Sequence, residues 1–167
     1  MSTFYAQPYD TTASGFYFTT MEEYEAGVVK ARNEAGLPVE EFEIQFIDGD
    51  SQDAALAEAW GLSQANLRRL IEAVEEWEYH SKVRLIIARE CGIDFDVESD
   101  DIDLLDVEIC GAESLRELAE DAVESGWFGV IPEELTNYID YDAIARDLAM
   151  DYAVICVAGE HHVYRCG

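Results

Sequence analysis

The chain has 167 residues, and its 37 acidic residues against 10 Lys and Arg give a formal net charge of −27. Nucleic acid and anionic lipid are excluded as direct partners, because both are negatively charged and would be repelled. Apolar residues make up 49% of the chain, with three Trp, nine Tyr and seven Phe, so packed cores are expected rather than a disordered acidic tail.

The first sixty residues predict a small β-sheet with one helix. Turn residues at 9–12 separate two aromatic-rich segments, which is typical of a hairpin. Thr20 and Glu23 form a capping-box pattern ahead of apolar residues at helical spacing. The predicted elements are strands at 3–5, 15–18 and 41–47 and a helix from Met21 that stops near Gly36. We expect a first domain at 1–60.

Residues 61–100 predict a helical domain. A short helix from Asp53 to Trp60 breaks at Gly61, and Ser63 is the predicted cap of the next helix. Apolar residues recur at helical spacing through Trp77, and the segment from Val83 to Ala88 continues the pattern.

The last third, 101–167, predicts an α+β domain. Its elements are a strand at 101–110, an amphipathic helix from Ser114 to Ser125, a helical turn after Pro132, a helix from Asp140 to about Met150, and a hairpin of 154–157 with 163–164 around Gly159. The expected fold is therefore an α+β chain of three small domains in series: 1–60, 61–100 and 101–167.

Acidic residues fall on single faces of the predicted helices. Glu113, Glu117 and Glu120 begin one stripe, since they recur at helical spacing. Opposite charges at this spacing gain about 0.2–0.5 kcal/mol per pair, and like charges lose a similar amount. A ladder of carboxylates is what a surface needs to resemble a phosphate backbone. The predicted DNA-like surface consists of Glu72, Glu75, Glu76, Glu113, Glu117, Glu120, Asp121, Glu124, Asp142, Asp147 and Asp151.

Enzyme and metal chemistry is not indicated. Nucleophile-elbow, P-loop, dinucleotide and zinc-protease motifs are absent. The spaced acids of 94–100 resemble the start of an EF-hand loop, but Ser99 stands where Gly is needed and Leu105 where the bidentate Glu is needed. The Cys and His residues of 156–166 match no familiar zinc spacing. We expect no cofactor, no metal and no catalysis.

No basic segment followed by an apolar run begins the chain, and no run reaches the roughly 18 apolar residues of a membrane span. We therefore expect a cytoplasmic protein.

A longer motif lies in the last third. Residues 126–148 read Gly-Trp-Phe-Gly-Val-Ile-Pro-Glu-Glu-Leu-Thr-Asn-Tyr-Ile-Asp-Tyr-Asp-Ala-Ile-Ala-Arg-Asp-Leu. This resembles the signature of the ArdA-type antirestriction proteins, in which a G-x-[IV]-P turn precedes L-x-N-Y-x-D-Y-x-A-x-x-R-D-L. Weaker similarity to that family covers the rest of the chain.

The resemblance implies a function. Proteins of this family, encoded largely by mobile elements and phage, bind type I restriction-modification enzymes in place of DNA. They form elongated dimers of three small domains, and their carboxylates stand in for phosphates. The family's antirestriction segment, at or near the dimer contact, corresponds here to Trp127, Phe128, Gly129, Pro132, Leu135, Asn137, Tyr138, Asp140 and Tyr141.

Other interpretations stay open at this point. An acidic protein that is not a mimic and binds another basic host factor, such as a nucleoid protein, is the main alternative. A salt-tolerant structural protein without a partner is a third. The signature residues also have core-like spacing, which predicts that most of them pack: Tyr138, Ile139, Tyr141, Ile144 and Leu148. Arg146, among so many acids, is predicted to form an internal ion pair.

Overall fold

The computed structural model describes residues 1–96 and 101–167 and divides the chain into two compact units, Met1–Leu104 and Leu105–Gly167. Each unit combines helices with a three-stranded antiparallel sheet, which confirms the predicted α+β class. The predicted division into three domains, 1–60, 61–100 and 101–167, stays a prediction. Glu98 and Asp100, part of the rejected calcium pattern, lie outside the described residues.

The first sheet confirms the predicted hairpin and third strand. Its strands are β1 (Thr3–Pro8), β2 (Phe16–Phe18) and β3 (Phe42–Asp48), in the order β2-β1-β3. Tyr5 pairs with Tyr17 on one side and with Gln45 on the other. The rings of Phe4 and Phe18 are buried and stack with centroids 5.5 Å apart. Burial alternates along β1, so Phe4, Ala6 and Pro8 share the buried face of the sheet and Tyr5 lies on the other face.

Helix α1 (Met21–Lys30) begins at the predicted capping box. The Thr20 hydroxyl accepts a hydrogen bond from the backbone N–H of Glu23 at 3.3 Å. The Glu23 carboxylate in turn accepts bonds from the backbone N–H of Thr19 at 2.7 Å and from its hydroxyl at 2.9 Å. These two bonds from Thr19 lower the pKa of Glu23. The cap is thus reciprocal, but the returning bond goes to Thr19 rather than to Thr20.

Gly27 allows the ring of Phe16 to lie directly against α1. A Cβ atom at Gly27 would lie 2.1 Å from Cε2 of Phe16. We expect Gly27→Ala to lower the free energy of unfolding by about 1–3 kcal/mol through overpacking, although Ala is the better helix former. Urea unfolding measures this, with the exposed Val29→Ala as the neutral control. A Gly27→Ala chain as stable as the parent would mean that Phe16 repacks without cost.

Three helices complete the first unit and surround a buried ion pair. They are α2 (Ser51–Trp60), α3 (Leu67–Glu76) and α4 (Tyr79–Glu90). Nζ of Lys82 lies 2.7 Å from Oδ1 of Asp53, and both side chains are buried. The Ser2 hydroxyl donates to Oδ2 of Asp53 at 2.9 Å, and Lys82 donates to the carbonyl oxygen of Val74 at 3.0 Å. This network joins residues of the predicted segments 1–60 and 61–100.

Two predicted helix boundaries are wrong. Helix α1 ends at Lys30 rather than near Gly36, because Ala31 already has an extended backbone. Helix α3 does not begin after Ser63: the cap position is Asn66, whose side-chain oxygen accepts a bond from the backbone N–H of Ser63 at 2.8 Å. The predicted break at Gly61 is confirmed, since Gly61 takes the left-handed conformation (φ 68°) that ends α2.

The second unit packs two helices on its sheet. Its elements are β4 (Val107–Ile109), α5 (Leu115–Glu124), a 3₁₀ segment (Glu133–Tyr138), α6 (Tyr141–Leu148), β5 (Ala153–Val157) and β6 (Glu160–Cys166), with strand order β4-β6-β5. One cluster of its core consists of Ala112, Leu118, Tyr152 and Val163. The helix after Ser114 and the hairpin around Gly159 are confirmed. The strand predicted over 101–110 is wrong for most of its length, because residues 102–104 form a 3₁₀ turn and only 107–109 pair with β6.

Within residues 1–96 and 101–167, each helix is too short or too polar to span a lipid bilayer.

Candidate functional site

Helix α5 carries the predicted acidic stripe, and its amphipathic sequence fixes which way the stripe faces. Ser114 caps the helix by accepting a bond from the backbone N–H of Glu117 at 3.1 Å. The Glu117 carboxylate accepts a bond from the backbone N–H of Glu113 at 2.8 Å. Leu118, Ala119 and Ala122 are buried on the opposite face. Burial of this apolar face therefore leaves the acidic face in solvent.

The stripe forms a regular row of carboxylates. Glu113, Glu117, Asp121 and Glu124 are exposed, and Glu120 is half-buried. Within the helix, at 1.5 Å of rise per residue, the carboxylates from Glu117 to Glu124 span about 10 Å, with steps of roughly 4.5 to 6 Å along the axis. Negative charge thus recurs along one helix face at short and even intervals.

Helix α6 presents further carboxylates. Asp140 caps it by accepting a bond from the backbone N–H of Ala143 at 2.9 Å. Asp142 and Asp147 are exposed on the helix, and Asp151 is exposed just beyond its end. No residue of α6 is buried, so this helix is held less firmly than α5.

Arg116 connects the two helices and was missed by sequence reasoning. Its Nε lies 3.1 Å from Oε1 of Glu120, and its Nη1 lies 2.6 Å from Oδ1 of Asp142. The hydrogen bond to Asp142, followed by the charge of that carboxylate and the bond to Glu120, raises the pKa of Arg116. The i, i+4 spacing of Arg116 and Glu120 was a signal for the first contact, whereas no sequence pattern indicates the second.

The second unit carries a large excess of negative charge beyond the residues that pair with Arg116. Between Leu105 and Gly167 there are 14 acidic and 3 basic residues. Arg165 forms an ion pair with Glu108, which raises the pKa of Arg165, and its guanidinium lies over the ring of Tyr152. Two of the three basic side chains therefore serve internal contacts.

The predicted acidic residues of α3 lie in the first unit. Glu75 and Glu76 are exposed. Glu72 is half-buried, and its carboxylate lies 3.3 Å from Nη1 of Arg69. Of the three, Glu72 is thus partly neutralised within its own helix.

The segment between α5 and α6 exposes large apolar side chains. Exposed fractions are 54% for Trp127, 56% for Phe128, 53% for Leu135 and 84% for Tyr138, and Val130 is fully exposed. Of the other predicted segment residues, Gly129 (φ 85°), Pro132 and Asn137 lie in the same loop and 3₁₀ turn, Asp140 caps α6, and the half-buried Tyr141 is the first residue of α6. An apolar surface of this kind in an acidic unit is typical of a protein interface.

Of the five residues with core-like spacing, only Tyr138 does not pack, because α6 begins only at Tyr141 and Tyr138 lies in the preceding 3₁₀ turn. Ile139, Ile144 and Leu148 are half-buried. Arg146 is exposed and forms no ion pair with a described residue, so the predicted internal pair is not present there.

No three His, Cys, Asp or Glu side chains converge as a possible metal site within residues 1–96 and 101–167.

Comparison with known families identifies the family of the chain. The family model described as antirestriction protein (ArdA) matches residues 5–162, which is nearly the whole chain and includes both acidic helices and the exposed segment. No curated protein matches the chain.

Proposed function

Because the chain belongs to the ArdA family of antirestriction proteins, we propose that it works as a DNA mimic in the DNA-binding site of type I restriction-modification enzymes. The family implies antirestriction and interaction with restriction-modification enzymes. The observation that supports mimicry is the solvent-facing row of carboxylates on α5, continued by those of α6. We place its action in the cytoplasm, where such enzymes encounter incoming DNA.

Electrostatics supplies the mechanism. A DNA-binding cleft uses Lys and Arg to contact phosphates, and binding releases the counterions condensed on the DNA. Carboxylates at short intervals can occupy the same basic side chains. The chain would then block DNA entry without making or breaking a covalent bond.

The binding energy is expected to be spread over many weak contacts. Several carboxylates of the second unit form no ion pair and no side-chain hydrogen bond within the described residues: Glu113, Asp121, Glu124, Asp147 and Asp151. Exposed charge pairs contribute about 0.2–1 kcal/mol each. No single carboxylate is therefore expected to dominate.

Mutual exclusion on the enzyme tests the mechanism. A type I methyltransferase core bound to labelled duplex DNA would be mixed with the chain and resolved by native electrophoresis. Mimicry predicts only two complexes of the enzyme beside the free components: enzyme with DNA and enzyme with the chain. A band that contains enzyme, DNA and the chain together would show that the chain binds elsewhere.

The exposed segment 127–138 is the proposed homodimer contact. Its apolar side chains are carried by a loop and a 3₁₀ turn in which no residue is buried. Pairing of two copies would remove this apolar surface from water, and burial of apolar surface contributes a favourable free energy of about 25 cal/mol per Å². A dimer would also double the number of carboxylates offered to an enzyme.

We expect Val130→Glu to convert the dimer into a folded monomer. Val130 is fully exposed, so a glutamate there disturbs no internal packing but places a charge in the proposed contact. Sedimentation velocity measures the mass, and Val29→Glu, exposed on α1, is the matched control that should remain dimeric. A Val130→Glu chain that sediments as a dimer would place the contact elsewhere.

A further inference from the structure

A positive charge lies within the proposed DNA-like surface. The Arg116 side chain is 56% exposed between Glu120 and Asp142. Electrostatics alone predicts that such a charge weakens attraction to a basic cleft. We therefore expect Arg116 to contribute to binding through its contacts rather than through its charge.

The geometry of the contacts indicates what that contribution is. One nitrogen of the guanidinium contacts Glu120 on its own helix, and another contacts Asp142 in the first turn of α6. A planar guanidinium holds its donors in a fixed fork, so two carboxylates bound to it have a defined separation. A lysine ammonium, as a single point charge on a flexible stem, fixes no such separation.

Helix α6 needs this contact more than α5 does. Leu148, near its end, is only half-buried against the core cluster, and no other α6 residue is more deeply packed than half-buried. The start of α6 is held by the Asp140 cap and by the Arg116–Asp142 ion pair. A change in the tilt of α6 would move Asp142 and Asp147 together relative to the α5 stripe.

We infer that Arg116 is a positioning residue that sets the spacing between the carboxylates of α5 and those of α6, an inference that rests on the proposed function. Arg116 partly neutralises Glu120 and Asp142, and in doing so it fixes the distance between the carboxylates of α5 and those of α6. The remaining carboxylates then meet the basic side chains of the enzyme as one ordered surface.

Three variants test this role because they separate charge from geometry. Arg116→Gln and Arg146→Gln make the same change in net charge, but Arg146 is exposed on α6 and forms no ion pair with a described residue. We expect Arg146→Gln to displace DNA from the methyltransferase core at a slightly lower concentration than the parent. Arg116→Gln should need a concentration about two- to fivefold higher than the parent. Arg116→Lys keeps the charge without the fork and should fall between Arg116→Gln and the parent.

Amide hydrogen exchange of residues 141–148 gives an independent readout. Exchange should accelerate in Arg116→Gln, less in Arg116→Lys, and remain unchanged in Arg146→Gln. If Arg116→Gln does not fold, the comparison of Arg116→Lys with the parent decides, and unchanged exchange and displacement in Arg116→Lys overturn the inference.

Tighter displacement by Arg116→Gln, equal to that of Arg146→Gln, would also overturn it, because Arg116 would then be only an opposing charge. Failure of the parent chain to displace DNA would instead contradict the proposed function. The two failures are therefore distinguishable.

Discussion

Neutralising four exposed carboxylates of the second unit is expected to weaken displacement of DNA from a type I methyltransferase core by about a hundredfold. A hundredfold loss corresponds to about 2.7 kcal/mol. Four independent contacts of about 0.7 kcal/mol each would supply it, which lies within the range of about 0.2–1 kcal/mol for exposed charge pairs. The substitutions are Glu113→Gln, Asp121→Asn, Glu124→Gln and Asp147→Asn. None of these side chains forms an ion pair or hydrogen bond within the described residues, so folding should be preserved.

The matched control changes net charge equally at other exposed glutamates: Glu34→Gln, Glu40→Gln, Glu41→Gln and Glu43→Gln. If the placement of charge matters, the control should retain most of the displacement. Single neutralisations in α5 should each change the midpoint by less than about fivefold. Equal losses in the two quadruple variants would mean that total charge alone drives binding, and loss of all displacement from one neutralisation would contradict distributed contacts.

Lys82→Met is expected to lower the free energy of unfolding of the first unit by about 3–5 kcal/mol. The substitution leaves the Asp53 carboxylate buried without its cation, which costs far more than the loss of an exposed pair. Urea unfolding, followed by the fluorescence of Trp60 and Trp77, measures the change. Because domains have net stabilities of only about 5–15 kcal/mol, the effect is large.

Two further variants separate charge burial from general perturbation. Arg68→Met removes an exposed ion pair, with Glu25 at 2.6 Å, and should cost less than about 1 kcal/mol. Asp53→Leu with Lys82→Met removes both buried charges and should recover most of the loss. If the double variant is as unstable as Lys82→Met alone, packing rather than the uncompensated charge is responsible.

Local patterns in the sequence predicted the elements whose determinants are themselves local. The Ser114–Glu117 cap, the left-handed Gly61 and the hairpin around Gly159 each depend on residues within a few positions of one another. The wrong start of α3 arose where two local signals competed, because Asn66 rather than Ser63 supplies the cap position.

Contacts between distant residues could not be predicted. Asp53 and Lys82 are 29 residues apart, and Arg116 and Asp142 are 26 apart, so no periodicity relates them. For the candidate site, the acidic face of α5 followed from the amphipathic pattern, because a buried apolar face dictates the exposed one. The exposure of Tyr138 could not be predicted in the same way. Its spacing from Tyr141 is that of one helix face, but the helix begins only at Tyr141.

Competition between the chain and DNA for a type I methyltransferase core, titrated at several salt concentrations, tests mimicry most directly. Occupation of the DNA site predicts that the chain displaces labelled duplex at a concentration close to that of the enzyme when DNA is not in excess. The concentration of chain at the midpoint should rise as more DNA is added. Displacement should also weaken steeply as salt increases, because the contacts are ionic. A folded chain that leaves the duplex bound at every salt concentration, across several type I families, would contradict mimicry and direct attention to another basic partner.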